Sequence, residues 1–465
     1  MGSEADLHVM MFPWFAFGHI SPFLQLARKI SSTARRRTIR ITFLSAPSNV
    51  PRIASLLPSS PSVNIVSLQI PHVDGLPAGA ESTATITPAM AELLKQALDL
   101  MKPQVASLLA DHRPQLVFHD FAQPWLPSIA EPLNIKTIFF PVFAAVSTAF
   151  LMSPSRRLHG PSPTIDHLRL PPENFPTSSS ITSVPTYQAE DFLYVFKSFG
   201  GAPCLYNRVV PAMEACSAIV AKTCMEMEGK YTNYVESQYG KPVLLTGPGV
   251  PEPAVGELEE KWAEWLGGFG EDSVVFCSFG SETFLTDDAV MELVMGLEMT
   301  GLPFLLVLNF PGGGGVEGKL PEGFEERLEG RGKVHCGWVQ QQHILGHKSV
   351  GCFVCHAGLS SVMEGMVAGC QLVTLPQKGD QYLNSRLFTG DLEVGVEVVR
   401  DDGDGRFTRE GICEAVRVVM VEGEEGVGKR VRENHGRWRK FLMDKGVQEK
   451  FTEDLIVKLE AMAAA

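Results

Sequence analysis

The chain has 465 residues, of which 45% are hydrophobic, 9% aromatic and 20% charged. That length and apolar share suffice to bury more than one core, and a net charge of −13 excludes the broad basic face that nucleic-acid binding needs. Nine cysteines, an odd number set mostly in apolar stretches, read as free buried thiols of a reducing compartment rather than as a disulfide framework.

Residues 1–6 are acidic and no basic stretch precedes the apolar run 7–17, so that run reads as a first buried strand over 7–13 and not as a secretory signal. An amphipathic helix follows over 21–31 with Pro22 at its start, and Arg35, Arg36 and Arg37 read as a solvated loop. Strands are expected at 39–44, 63–68, 115–119 and 137–140, with one long helix over 87–110 and a shorter one over 125–132. The apolar tract 138–152 is broken by Pro141, Ser147 and Thr148 and falls short of the roughly 20 residues that cross a bilayer. Residues 153–186, dense in Pro, Ser and Thr, read as a mobile surface excursion.

Further strands are expected at 218–221, 243–246, 274–278, 305–308, 334–335, 352–355 and 372–375. Strands that alternate with helices predict parallel sheets covered on both faces. Residues 247–256, rich in Pro, Gly and Val without periodicity, are the expected linker. It divides a first domain, 1–246, from a second, 257–440, and a helix over 441–465 is expected to pack back on the first. The glycine run in 311–315 reads as a connecting loop, because no Lys-Ser/Thr follows it and no helix begins there.

The densest chemistry lies in residues 338–381. Residues 349–355 are a short apolar run that reads as a buried strand with His356 at its carboxyl end. Ala357, Gly358, Leu359, Ser360 and Ser361 lead into a helix in which Val362, Met363, Met366 and Val367 recur at helical spacing. A strand, a tight turn and a helix start leave backbone N–H groups unpaired. With the helix dipole and two serine hydroxyls they form a site that suits a diphosphate without a metal. One turn deeper, Glu364 can accept both hydroxyls of a ribose, and Trp338 offers a flat face to a base. After the next strand Pro376 precedes Asp380 and Gln381, whose oxygens and amide suit the hydroxyls of a sugar.

This segment resembles, nearly position by position, the signature box of the plant family 1 UDP-sugar-dependent glycosyltransferases, which act on small secondary metabolites. The His19-Ile20-Ser21-Pro22 stretch, the Phe279-Gly280-Ser281 turn and the length extend the resemblance over the chain. It implies an α/β protein of GT-B fold, two Rossmann-like domains facing across a cleft, with the UDP-sugar on the second and the acceptor on the first. It also implies roles: Trp338 stacks on uracil, Gln341 pairs with it, His356 and Ser361 hold the diphosphate, Glu364 the ribose, and Asp380 and Gln381 the sugar. Val339, Gly358 and Ser360 belong to the same donor-binding set. Two positions depart from the usual pattern, Gln340 where the family usually has Pro and Ser360 where it usually has Asn. The Trp338-Val339-Gln340-Gln341 form, with FPWFAFGH at 12–19, resembles the subgroup that extends sugars already attached to flavonoids, terpenoids or steroids.

The implied reaction displaces UDP by an acceptor hydroxyl, which must lose its proton as the bond forms, and a histidine suits that near neutral pH. His19 follows the first strand and is expected just before a helix, where a cleft should open. Asp120 follows the strand 115–119 and would hold the other ring nitrogen, as in a hydrolase Asp-His pair. Both match the family's dyad. His119, whose side chain points away from its neighbour's on a strand, is the decoy. Ser281, with Thr283, either donates hydroxyls to the diphosphate or caps a helix starting near residue 286. In-line attack inverts the anomeric centre, giving a β-linkage from UDP-glucose, the favoured donor.

The alternatives are a nucleotide-sugar binding protein without turnover and a transferase acting directly on an aglycone. A nicotinamide oxidoreductase needs a glycine fingerprint after the first strand, which 12–18 lack. Cys352-x-x-Cys355-His356 fits the c-type haem pattern, but its cysteines fall inside an apolar strand. Asp402-Gly403-Asp404 reads as a solvated turn rather than a metal carboxylate pair. No cofactor or metal is expected, and the partners are a UDP-sugar and a small acceptor, bound by a cytoplasmic monomer. Loops at 71–87 and 183–201 would build the acceptor pocket, with Phe192, Tyr194, Phe196 and Phe199 lining either that pocket or the core.

Overall fold

The computed structural model describes residues 7–33, 38–57, 62–83, 86–159, 163–281, 283–310, 314–316, 318–422 and 425–465. The acidic start, the arginine run and residues 311–313 at the start of the glycine run lie outside the described residues.

Thirteen strands form two parallel sheets among the described residues. The first contains β1 (Leu7–Phe12), β2 (Ile39–Ser45), β3 (Val63–Ser67), β4 (Leu116–His119), β5 (Lys136–Phe139), β6 (Ala218–Ala221) and β7 (Val243–Leu245), in the order β3-β2-β1-β4-β5-β6-β7. The second contains β8 (Val274–Ser278), β9 (Phe304–Leu308), β10 (Gly332–Cys336), β11 (Val350–Cys355), β12 (Gln371–Thr374) and β13 (Gly395–Glu397), in the order β10-β9-β8-β11-β12-β13.

Helices on both faces leave the central strands no solvated side, which is why β1, β8 and β11 are buried along their whole length and, His8 and Ser278 apart, apolar. Alternate residues feed different cores. Met10 and Phe12 point into one apolar cluster and Val9 and Met11 into another. The cluster that takes Met10 and Phe12 also takes Val274, Phe276 and Phe353, so one apolar body runs from the first sheet to the second.

Four local expectations are corrected. The first helix spans Phe17–Thr33, so His19 lies in its first turn and Pro22 lies inside it. The proline is tolerated because the carbonyl it leaves unpaired belongs to exposed Gly18. The long helix over 87–110 is two, Pro88–Leu100 and Lys102–His112, since Pro103 lacks an N–H and its ring crowds the carbonyl four residues back. Residues 153–186 are not a free excursion. Phe175, Ile181 and Val184 are buried, and buried Arg156 donates to the carbonyls of Phe150 (3.0 Å) and His167 (2.7 Å). Those anchors lie at irregular intervals and so leave no period to read. Strand β13, three residues long, was not anticipated for the same reason.

The last helix, Lys445–Ala464, lays Leu455, Ile456 and Leu459 into the cluster built on β1, β2 and β4 of the first sheet. Its Phe451 covers Gly247 so closely that a Cβ there would stand 2.7 Å from the ring, at a backbone φ of +77°. Only glycine fits at this point where the chain leaves the first sheet.

Candidate active site

In an open parallel sheet, ligands collect outside the carboxyl ends of the strands where the order reverses. Both sheets reverse once, the first between β1 and β4 and the second between β8 and β11. The predicted dyad sits at the first reversal and the predicted diphosphate residues at the second.

At the first, His19 Nδ1 lies 2.6 Å from Asp120 Oδ2, with the two side chains 13% and 2% exposed. The carboxylate is fixed independently, since Oδ2 accepts from Trp14 N (3.2 Å) and Oδ1 from Phe121 N (2.7 Å). An ionised carboxylate only accepts, so the ring proton resides on Nδ1 and the lone pair on Nε2 is left for an incoming hydroxyl. The imidazole is held between Phe121 and Phe143, whose ring centroids lie 5.3 and 5.7 Å away. His119 is fully buried against Phe139, neither of its nitrogens has a partner, and burial lowers its pKa to about 4. It packs and does not face the cleft chemistry.

At the second reversal, Gly280 follows β8 and His356 follows β11. A Cβ at Gly280 would stand 3.2 Å from His356 Cε1, and one at Gly358 would stand 2.5 Å from Nε2. The two glycines therefore make room for the ring. His356 Nδ1 is buried without a partner, and burial, aided by the charge of Lys378, lowers the ring's pKa to about 4. It is a neutral imidazole. Ala357 turns the chain at φ +59°, and helix Leu359–Ala368 begins without a side-chain cap, so its first N–H groups remain open to an anion. Ser360 is exposed and Ser361 partly so. Thr286 caps the helix Asp287–Met299 by accepting from Ala289 N (3.3 Å), which removes capping as the explanation of Ser281. Ser281 is exposed on the cavity beside these groups, whereas Thr283 is buried.

That cavity, of about 560 Å³, is lined by Gly280, Ser281, Asn309, Trp338, Gln341 and Glu364 among others. Trp338 is 78% exposed at its mouth, and Val339 is buried at its floor. Gln341 Nε2 donates to Glu364 Oε2 (2.7 Å) and Ser361 Oγ (3.3 Å), and Gln342 Nε2 donates to Glu364 Oε1 (3.2 Å). Gln340, the departure from the usual proline, accepts from Glu259 N (2.7 Å) and donates to Glu257 O (2.9 Å), tying residues 257–259 to the segment that carries Trp338. A proline cannot make either bond.

Asp380 and Gln381 open the helix Asp380–Arg386. Gln381 Oε1 is occupied by Gln377 N (3.0 Å) and Lys378 N (3.2 Å), leaving only the amide nitrogen for a sugar. Asp380 Oδ2 accepts from Asn384 Nδ2 (2.9 Å), which also donates to Ala357 O (3.1 Å) and so links this carboxylate to the turn after His356. Burial raises the Asp380 pKa, while the Asn384 hydrogen bond and the positive ends of His19 and Lys378 oppose the rise.

Sequence reasoning missed several groups. Gln342 and Asn384 carry local signals, a third consecutive glutamine and an i,i+4 partner on a helix. Lys222, just past β6, carried none; its stem lies over Gly249, burial lowers its pKa to about 8, Lys29 adds to the shift and Asp380 and Glu228 oppose it. Three clamps join the domains. Asp191 Oδ2 accepts from Gly379 N (2.6 Å), immediately before Asp380. Asp391 accepts from Ser180 N (2.7 Å), Lys230 (2.9 Å) and the Tyr231 hydroxyl. Asp402, 64% exposed in the turn that was read as solvated, accepts from Thr186 Oγ1 (3.2 Å) and Arg169 (3.4 Å). Asp401 is what shapes that turn, accepting from Gly403 N (2.8 Å) and Asp404 N (3.1 Å).

Cys352 and Cys355 are buried inside β11, and burial raises both thiols, Cys355 to about 12. Neither is placed to attack a haem vinyl group. Among the described residues no three His, Cys, Asp or Glu side chains converge as a metal site, and no helix is long and apolar enough to cross a membrane.

The profile of the UDP-glucoronosyl and UDP-glucosyl transferase family matches residues 195–423. An anthocyanidin-3-O-glucoside rhamnosyltransferase of Petunia hybrida is 55% identical, the match covering 99% of this chain and 98% of that one. The chain belongs to this family. It is a UDP-glycosyltransferase, and its box is that of the plant enzymes of family 1. An anthocyanidin 3-O-glucoside 2''-O-glucosyltransferase of Ipomoea purpurea is 38% identical over 99% of both chains. Among solved structures, that of UGT73P12 from Glycyrrhiza uralensis, complexed with glycyrrhetinic acid 3-O-monoglucuronide, superposes with a TM-score of 0.76 at 22% identity, covering 99% of this chain and 97% of that one. The fold of this transferase is GT-B, as the two facing parallel sheets require.

Proposed function

We propose that this glycosyltransferase moves a sugar from its UDP conjugate, with inversion, to a sugar hydroxyl of a flavonoid glycoside, an anthocyanidin 3-O-glucoside being the favoured acceptor. The observation that carries the proposal is the 2.6 Å contact of His19 with Asp120 where the order of the first sheet reverses. Identities of 55% and 38% over nearly the whole chain to enzymes named for anthocyanidin 3-O-glucosides support the acceptor class.

In this reading Nε2 of His19 takes the proton of the acceptor hydroxyl as its oxygen attacks the anomeric carbon from the face opposite UDP. Asp120 stabilises the imidazolium that results. The bond from the anomeric carbon to the phosphate oxygen breaks, and UDP carries away the electron pair. Its charge is met by the first N–H groups of helix Leu359–Ala368, the neutral ring of His356 and the hydroxyls of Ser281 and Ser361. Trp338 stacks on uracil, Gln341 pairs with it, and Glu364 takes the ribose.

The donor sugar divides two readings. Asp380 and the amide of Gln381 suit a hexose such as glucose. UDP-rhamnose is favoured by the higher identity, 55%, to the enzyme named for rhamnose, against 38% to the one named for glucose. We take rhamnose as the first donor to test. Purified enzyme is offered UDP-rhamnose, UDP-glucose and UDP-xylose, each with the free anthocyanidin and with its 3-O-glucoside, and products are identified by mass. Rhamnosyl and glucosyl products differ by one oxygen. Products on the free anthocyanidin alone sink the acceptor reading, and no product from any pair leaves a nucleotide-sugar binder without turnover.

A further inference from the structure

Helix Pro88–Leu100 buries Leu94, Ala97 and Leu98 in the core, as an apolar stripe should, yet Glu92 and Lys95 on it are only 9% and 8% exposed. Lys95 Nζ donates to Glu92 Oε1 (2.6 Å), and the same oxygen accepts from the Tyr194 hydroxyl (3.2 Å). Tyr194 comes from the short turn Leu193–Phe196. Burial and the neighbouring Glu92 raise its phenol to about 12, so it remains a donor. The ammonium lies 5.8 Å from the centroid of Phe121, and Phe121 in turn lies 5.3 Å from the ring of His19. The charged cluster therefore stands one aromatic ring away from the proposed base, on the acceptor side.

Stability does not explain it. A buried ion pair is often replaced by packed apolar side chains at no cost, because desolvation consumes most of the Coulombic gain. Nor is the cluster saturated. Among the described residues Lys95 has one acceptor for three donors, and Glu92 Oε2 has no hydrogen-bond donor. The flat ring faces of an aglycone offer these groups no hydrogen-bond partner. A hexosyl group, whose neighbouring hydroxyls both donate and accept, satisfies them at once.

We infer that Glu92, Lys95 and Tyr194 form the subsite for the sugar already attached to the acceptor, the hydroxyls of that sugar accepting from Lys95 and donating to Glu92. Holding that sugar here presents one of its hydroxyls to His19. The inference rests on the proposed acceptor class and goes on to name the residues that select it.

The test compares the wild type with Glu92→Gln/Lys95→Met, which removes both charges and so leaves neither buried alone. The KM for an anthocyanidin 3-O-glucoside is expected to rise about tenfold or more, the scale of losing hydrogen bonds to charged groups, while the KM for the UDP-sugar holds. A glucoside KM that stays at the wild-type value in the folded double variant overturns the subsite. Tyr194→Phe, on a ring 49% exposed, keeps the question open if the double variant does not fold. It should raise the glucoside KM severalfold without changing any residual use of the free anthocyanidin, and an equal effect on both acceptors counts against the assignment. A wild type that glycosylates only the free anthocyanidin instead overturns the acceptor class itself, whatever the variants do.

Discussion

The reversal points of the two sheets carry a histidine each, and the same topological position makes them chemically different. His19, after β1, has a carboxylate 2.6 Å from one nitrogen and leaves the other facing the cleft. His356, after β11, has no carboxylate partner, sits in a slot that two glycines open, and is lowered by burial to about 4. A partner that stabilises the imidazolium makes a base, and burial without one makes a neutral ring that can only donate or accept a hydrogen bond. The position in the fold supplies access to substrate, and the neighbours decide the chemistry.

The sharpest way to break this comparison is to remove the proposed base. His19→Ala should lower kcat by about 10² to 10⁴, the usual contribution of a positioned general base, with UDP affinity retained. Unchanged turnover, measured by product formation at saturating donor, would show that the acceptor loses its proton elsewhere. Asp120→Asn should cost less, on the order of 10²-fold or more, by misplacing the ring proton, and combined with His19→Ala it should add almost nothing.

How much of this was legible in the sequence follows from distance along the chain. The proposed donor half is local, since Trp338, Gln341, His356, Glu364 and Asp380 fall within one stretch and their strand-turn-helix grammar can be read directly. The sheets were legible because parallel strands buried on both faces read as unbroken apolar runs. His19 and Asp120 stand 101 residues apart and were found only through the strand ends and the family resemblance. Asp191 with Gly379, 188 residues apart, and Ser180 with Asp391, 211 apart, pair a short helix or turn with a distant segment, and neither partner carries a local signal of the other. Glu92 and Lys95 were hidden for another reason, because an i,i+3 pair of opposite charges looks like a solvated helix face until its burial is known.

On the other side of the comparison, His356→Ala should act on the donor. Its KM for the UDP-sugar should rise on the order of tenfold, the cost of one hydrogen bond to a charged phosphate, and the pH profile of kcat should keep its shape because the ring is neutral throughout the working range. A displaced acid limb would mean that His356 titrates during turnover. Asp191→Ala, which frees the Gly379 N–H beside Asp380, should have a smaller effect, a severalfold rise in the same KM with the KM for acceptor little changed. Equal changes in both constants would place Asp191 in the acceptor pocket instead.

His119 supplies the smallest expected effect and the control for both histidines. It is buried next to Asp120, has no hydrogen-bond partner, and its pKa falls from 6.5 to about 4 through desolvation, partly offset by Asp120. A histidine whose folded pKa is depressed favours folding fully above the unfolded pKa, and that contribution is lost as pH falls from about 6.5 toward about 4. For His119 the loss between pH 8 and pH 5 is roughly 2 kcal/mol. His8, His356 and His435 share the direction. His119→Leu should therefore leave the melting temperature at pH 8 unchanged or slightly higher, since no hydrogen bond is broken, and should narrow the drop in melting temperature between pH 8 and pH 5. If the variant melts lower at pH 8 and falls as steeply with acid as the wild type, the ring is held by a bonded partner and burial alone does not set its protonation.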